Sequence, residues 1–328
     1  MGWPDWADPL AVQSLRDHVR SERIGHAYLL AGPKGLGKAA LASAFAQSLC
    51  CTESDADDRS RPCSACRACR NVARRTHVDV EWFDLASQTS LDKDASATSL
   101  SIDTVRRLRG SAALFPLEAS RRVIVVDDAE TLLEPAQQAL LKTLEEPPPA
   151  VTILLLSDDS EALLETVRSR CQEVRVRPVS ESTIVRALAE RGIDEREATT
   201  IAALSRGAPG WAIAAVADER LKRSRLEELD AARSWLQGEP YERLVTAYKL
   251  GEQFGKRRDD VIGVVLAAVQ LLRERMFQAA DSEPGAAGIG VALAASLRCL
   301  SDLESNVRPR LALEAMVMQW PRLDPPPG

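Results

Sequence analysis

Directly after an apolar run ending at Ala31, the chain carries Gly32, Pro33, Lys34, Gly35, Leu36, Gly37 and Lys38, and a helix-favouring stretch follows. Glycines at this spacing let backbone N–H groups turn inward around an anion, the helix N-terminus adds positive potential, and Lys38 can reach outer phosphates. A working triphosphate site also needs magnesium, held by a Ser or Thr hydroxyl next to the lysine. Ala39 and Ala40 stand there instead, and a methyl group coordinates no metal. The partner motif is a carboxylate at the tip of an apolar strand. Val123, Ile124, Val125 and Val126 lead into Asp127 and Asp128, so Asp127 suits the metal-facing place. Asp128 falls where an active hydrolase carries glutamate to polarise water, and it is one methylene shorter. Gly32, Gly35, Gly37, Lys38, Asp127 and Asp128 therefore read as a degenerate nucleotide site, retained by the fold without turnover, with ATP or ADP binding left open.

Cys63, Cys66 and Cys69 sit at two-residue spacings, which let thiolates converge on one ion, and Cys50 or Cys51 can supply a fourth. Four thiolates close a tetrahedral shell, so the expected metal is structural Zn2+, staking a loop of about residues 50–70 that has little core of its own. His77 is near enough in sequence to be an alternative ligand.

Arg170 lies between a helix-like stretch, Glu161 to Val167, and the last strand-like run. Judged by residue type alone, an arginine among Arg168, Arg170 and Arg175 is a solvated surface charge. At a sheet edge, however, it could reach a neighbouring subunit and stabilise charge on a transferring phosphoryl group.

The elements that must place these residues follow from the hydrophobic pattern. Strand-like runs occur at Ala27 to Ala31, Val80 to Leu85, Arg122 to Val126, Thr152 to Ser157 and Glu173 to Val176. Helical patterns at Gly37 to Leu49, Ile102 to Leu114 and Pro135 to Leu144 alternate with them, which predicts an α/β fold with a mostly parallel sheet. From Pro178 the strand pattern stops and short helices punctuated by Gly192, Gly207, Pro209 and Gly210 begin. After Gly238, Glu239 and Pro240 come longer helices at Tyr241 to Gly251, Asp260 to Ala279 and Val291 to Asn306. The expected domains are therefore 1–177, 178–237 and 238–328, with loops at Thr52 to Arg61, Ala86 to Ser99 and Asp281 to Gly290.

Length and composition agree with this. At 328 residues and 45% hydrophobic, the chain can bury two or three cores. A formal net charge of -6 argues against a dedicated nucleic-acid binder. The longest apolar run, Val261 to Leu272, contains Gly263 and is too short to span a bilayer. The segment Met1 to Asp8 carries Trp3, Pro4 and two acids rather than a basic patch before an apolar core, so a cytoplasmic protein without a membrane segment is expected.

With these residues in view, the sequence resembles the bacterial DNA polymerase III clamp-loader subunits. The resemblance is carried by His26-Ala27-Tyr28-Leu29-Leu30, the cysteine cluster, Ala139-Leu140-Leu141-Lys142-Thr143-Leu144-Glu145-Glu146-Pro147-Pro148 and Ser169-Arg170-Cys171. It covers the chain to about Val176 and implies an AAA+ P-loop module, a small helical lid and a helical C-terminal collar that holds five subunits in a ring. Family spacing selects Cys51 as the fourth ligand beside Cys63, Cys66 and Cys69. Ala39 and Asp128, together with Gly210 or Trp211 where motor subunits place a nucleotide-sensing arginine, favour the delta-prime type over gamma/tau. The resemblance then implies a largely inactive stator, with Arg170 projecting into a neighbour's ATP site. The implied partners are gamma/tau and delta subunits in a hetero-pentamer and, through them, a sliding clamp and primer-template DNA. Two rivals are an active gamma-like motor, and a zinc-stabilised DNA-binding module, against which the acidic charge and 4% aromatic content argue.

Overall fold

The computed structural model describes residues 2–53, 61–91, 96, 98–278, 283–304 and 307–321. They form two compact units, divided between Ala214 and Ala215. The expected loop at residues 52–61 lies largely outside the described residues.

The first unit is built on five parallel strands: β1 (Ala27–Ala31), β2 (Val80–Phe83), β3 (Arg122–Val126), β4 (Val151–Ser157) and β5 (Gln172–Arg175). They lie in the order β2-β3-β4-β1-β5. Every residue of β1, β3 and β4 is buried, as a parallel sheet covered on both faces requires. Alternation of side chains across the pleat then divides one strand between two cores. Tyr28, Leu30, Val123, Val125, Leu154 and Leu156 face one side and pack with α1 (Pro9–Arg20) and α2 (Lys38–Cys50). Leu29, Ile124, Val126, Ile153 and Leu155 face the other.

The connections carry α3 (Arg67–Ala73), α4 (Leu85–Leu91), α5 (Ile102–Ala112), α6 (Glu134–Glu145) and α7 (Glu165–Arg168). The second core is closed by Val105 and Leu108 of α5 and by Ala136, Leu140 and Leu144 of α6. The helix α4 corrects the expected loop at Ala86 to Ser99, where residues 86–91 are helical. Asp84 caps this turn reciprocally: its carboxylate accepts from the Ser87 N–H at 2.7 Å, and the Ser87 hydroxyl accepts from the Asp84 N–H at 2.9 Å. The amide of buried Gln88 donates to the carbonyls of Ser96 and Ser99, and these local bonds outweigh the poor helix propensity of Ser and Thr.

Three short helices, α8 (Glu181–Ala189), α9 (Glu195–Leu204) and α10 (Pro209–Ala217), follow the sheet. Each of α8 and α9 starts at a capping side chain, Ser180 and Asp194 respectively.

The second unit is all helical: α11 (Glu219–Gln237), α12 (Pro240–Gln253), α13 (Arg258–Gln278), α14 (Glu283–Glu304) and α15 (Pro309–Met318). The expected loop through Gly290 is helical from Glu283. Pro284 falls in the first turn, where its missing N–H costs nothing. Trp235 and Trp320 meet at 5.1 Å between ring centroids. Beside them buried Arg243 donates to the carbonyls of Leu236 and Pro321 at 2.7 and 2.8 Å, which offsets part of the cost of burying its charge. The structure by itself thus divides at 214/215 and groups α11 with the terminal helices. The finer division at 177/178 and 237/238 remains a proposal. Among the described residues, no helix is long and apolar enough to cross a membrane.

Candidate nucleotide, metal and arginine sites

The strand order brings the C-terminal tips of β1, β4 and β3 side by side, with Ala31 paired to Ser157 and Leu155 to Val126. This edge is where parallel α/β sheets bind ligands. Gly32 to Lys38 leave β1 there, with Gly32, Gly35 and Gly37 all at positive φ. Gly37, at φ 89°, forms the N-cap of α2.

Lys38 is buried and turned into its own loop. Its Nζ donates to the carbonyls of Gly32 and Pro33 and pairs with Asp158 at 2.5 Å. Asp158 was not singled out from sequence. The signal available was an acidic pair, Asp158-Asp159, directly after the largely apolar strand Val151–Ser157, a pattern close to the one that marked Asp127-Asp128. Asp127 closes β3, with its N–H donating to the Phe83 carbonyl at 2.9 Å. Burial and then the Asp128 charge hold its carboxyl above the usual range. Asp128 adopts the left-handed conformation at φ 56°. It too is raised, by burial and then by Asp158, with Lys34 and Lys38 acting in the other direction. Ala39 presents no oxygen to a metal at this edge.

The loop is covered from two sides. The indole of Trp6 lies on Gly37, and the N–H groups of Gly210 and Trp211, at the start of α10, donate to the Gly35 carbonyl at 2.8 and 3.2 Å. The first turn of α10 thus has its free donors satisfied by the phosphate loop itself. Gly210 and Trp211 were singled out by the family resemblance, as the place where motor subunits carry a nucleotide-sensing arginine. Trp6 was not, because one aromatic in a terminal segment carries no spacing signal.

Cys51, Cys63, Cys66 and Cys69 place their sulfurs within 4.8 Å of one another, and the Cys63–Cys69 separation is 3.9 Å. Tetrahedral Zn2+ with Zn–S bonds of about 2.3 Å requires sulfurs roughly 3.8 Å apart, so the donor set fits that ion. Cys51 caps the C-terminus of α2 and Cys66 the N-terminus of α3. A metal held here would tie the two helices together. Burial works to raise the Cys66 thiol, but donation from the Cys69 and Thr52 N–H groups pulls it down to about 6. Cys50 lies outside the cluster in the first core, where burial pushes its thiol up to about 12. His77 is also outside, its Nδ1 accepting from the Asp79 N–H at 3.1 Å.

Arg170 occupies the turn between α7 and the edge strand β5. The turn is closed by Arg170 N–H to the Val167 carbonyl at 3.2 Å and Cys171 N–H to the Arg168 carbonyl at 3.0 Å. The guanidinium is about one-third exposed and meets Glu145 at 2.7 Å.

Residues 7–180 match the family model described as DNA polymerase III, delta subunit. Over 174 residues the chain is 30% identical to DNA polymerase III subunit tau of Bacillus subtilis, which covers 53% of this chain and 28% of that protein. Over 194 residues it is 27% identical to DNA polymerase III subunit delta' of the same organism, covering 59% of this chain and 55% of that one. The chain thus spans just over half of the delta' relative and less than a third of the tau relative. Among solved structures, a DNA polymerase III gamma subunit-related protein of Thermotoga maritima aligns over 94% of this chain and 97% of its own, at 17% identity and a TM-score of 0.40.

Proposed function

The chain belongs to the DNA polymerase III delta-subunit family, and we propose that within it this protein is a delta-prime-type clamp-loader subunit, a stator that hydrolyses no ATP of its own. The observation that carries this reading is the state of the phosphate loop. Lys38 is spent on Gly32, Pro33 and Asp158, Trp6 covers Gly37, and Ala39 offers no magnesium ligand. Magnesium and lysine are the parts that neutralise charge on a transferring phosphoryl group, so the loop serves here as a structural joint between sheet and lid.

The chemistry of this subunit is done for a neighbour. Arg170, at the edge of the sheet, supplies positive charge to the phosphates bound by an adjacent gamma/tau-type ATPase. Arginines donated in trans are worth roughly 10³–10⁵ in turnover. The assembly is a hetero-pentamer with gamma/tau and delta subunits in the cytoplasm, which opens a sliding clamp and leaves it on primer-template DNA. Zn2+ on Cys51, Cys63, Cys66 and Cys69 is structural, since four thiolates leave no open coordination position.

The test is DNA- and clamp-stimulated ATP hydrolysis by the reconstituted five-subunit loader, comparing wild type with Arg170→Ala. A large loss of turnover with assembly intact by size-exclusion chromatography supports the reading. Unchanged turnover would sink the arginine's role, and magnesium-dependent hydrolysis by the isolated chain would replace the stator with a motor.

A further inference from the structure

We propose that Glu145 is the positioning residue for Arg170, holding the guanidinium in the orientation from which it meets a neighbouring subunit's phosphates. The inference rests on the role of Arg170 proposed above. A free arginine side chain samples many rotamers, and ordering it at the moment of reaction costs conformational entropy. Here that ordering is done in advance. One terminal nitrogen, Nη1, donates to the Thr166 carbonyl at 2.9 Å, and the other, Nη2, meets Glu145 Oε1 at 2.7 Å. Both partners are themselves fixed, Thr166 by the backbone of α7 and Glu145 by its place on α6.

The placement of Glu145 is informative in itself. It is the last residue of α6, immediately before Glu146 and the run Pro147, Pro148 and Pro149 that stops the helix. Leu140 and Leu144, fully buried in the second core, leave that helix end little freedom. A carboxylate in the last turn stands against the helix dipole, so helix stability gives no reason for an acid at this position, whereas the contact with Arg170 does. The other arginine of the same turn, Arg168, is engaged elsewhere, with Glu161.

The guanidinium is not consumed by these contacts. Of its five N–H donors two point inward, and three remain for phosphate oxygens. A donor already aimed needs no reorganisation when charge develops, which is the condition for electrostatic catalysis. Glu145 is about half exposed, and ion pairs of that kind add little to stability. Its removal therefore acts on orientation and leaves the fold intact.

The experiment uses the reconstituted loader with primed DNA and clamp, measuring kcat and KM for ATP in wild type, Arg170→Ala, Glu145→Ala, Glu145→Gln and the double variant Arg170→Ala/Glu145→Ala. Glu145→Ala is expected to lower kcat about five- to tenfold with KM for ATP unchanged. Glu145→Gln, which keeps an acceptor oxygen, should restore most of that loss, and the double variant should be no slower than Arg170→Ala alone. If Arg170→Ala itself has no effect, the arginine's role fails and this inference with it. If Arg170→Ala is slow while Glu145→Ala matches or exceeds wild type, or if the two losses multiply in the double variant, the role of Arg170 stands and Glu145 does not position it.

Discussion

The six-membered ring of Trp6 rests against the α-carbon of Gly37, so closely that a β-carbon on Gly37 would lie 2.5 Å from Cζ3 and 2.9 Å from Cη2 of the indole. A phosphate loop works by letting an anion approach its backbone, and at Gly37 that approach is taken by a side chain of the same protein.

Trp6→Ala is accordingly expected to open the loop. Titration of the isolated wild-type chain with a fluorescent ADP should give no saturable binding at millimolar nucleotide, while Trp6→Ala gains weak binding. With Ala39 in place of a hydroxyl, that binding should not depend on magnesium. Saturable binding by the wild type would show that the indole yields to nucleotide and overturn the idea.

Gly37→Ala combines two penalties. A residue with a β-carbon at φ 89° pays about 1–2 kcal/mol for the left-handed conformation, and the new methyl must also displace Trp6. Chemical denaturation should show a destabilisation larger than the conformational cost alone, with the excess removed in a Trp6→Ala background. Purely additive losses would mean that the two residues do not press on one another.

Metal analysis of the purified chain should return one zinc per molecule. Cys63→Ser or Cys66→Ser should lose it and lower the melting temperature, whereas Cys50→Ser should keep the metal. Chelation at elevated temperature should reproduce the effect of the ligand variants. Retention of zinc by Cys66→Ser together with loss in Cys50→Ser would reassign the shell.

Asp79 predicts a specific acid sensitivity. Burial works to raise this carboxyl, but donation from the Leu117, Ala119 and Glu118 N–H groups outweighs it and holds the group below its ordinary 3.8. A depressed carboxylate contributes stability that is present above the unfolded value and is lost as pH falls through the folded one. Asp79→Asn should therefore cost about 2–4 kcal/mol near neutrality, since it also weakens the pairing with buried Arg122, 3.7 Å away. Urea midpoints of wild type and variant should converge below about pH 4. A gap that stays constant down to low pH would mean that the charge of Asp79 contributes nothing.

The alternation of apolar runs with amphipathic stretches was enough to locate β1 and β3 at their observed bounds and β4 within one residue, because a strand buried on both faces has almost no polar residue to confuse the pattern; β2 and β5, which are only partly buried, were located within two residues. Where local hydrogen bonds and not burial periodicity decide, the pattern was silent: Asp84 and Ser87 build α4 out of residues that favour turns, and a proline-led first turn starts α14 inside an expected loop.

The same division runs through the candidate site. Motif spacing selects Gly32 to Lys38, Asp127, Cys63, Cys66 and Cys69, since each motif is a local requirement of one backbone turn or one ion, whereas Arg170 and Cys51 are picked out only by the family resemblance. The approach of Trp6 to Gly37, of Asp158 to Lys38 and of Glu145 to Arg170 joins residues separated by 31, 120 and 25 positions. Only the crossing of strands in the order β2-β3-β4-β1-β5 and the packing of helices on the two cores bring them together. The sequence by itself determined which functional groups this protein possesses and which it lacks; what those groups touch was decided by tertiary packing, because contact across a sheet depends on where distant segments are buried and not on their spacing along the chain.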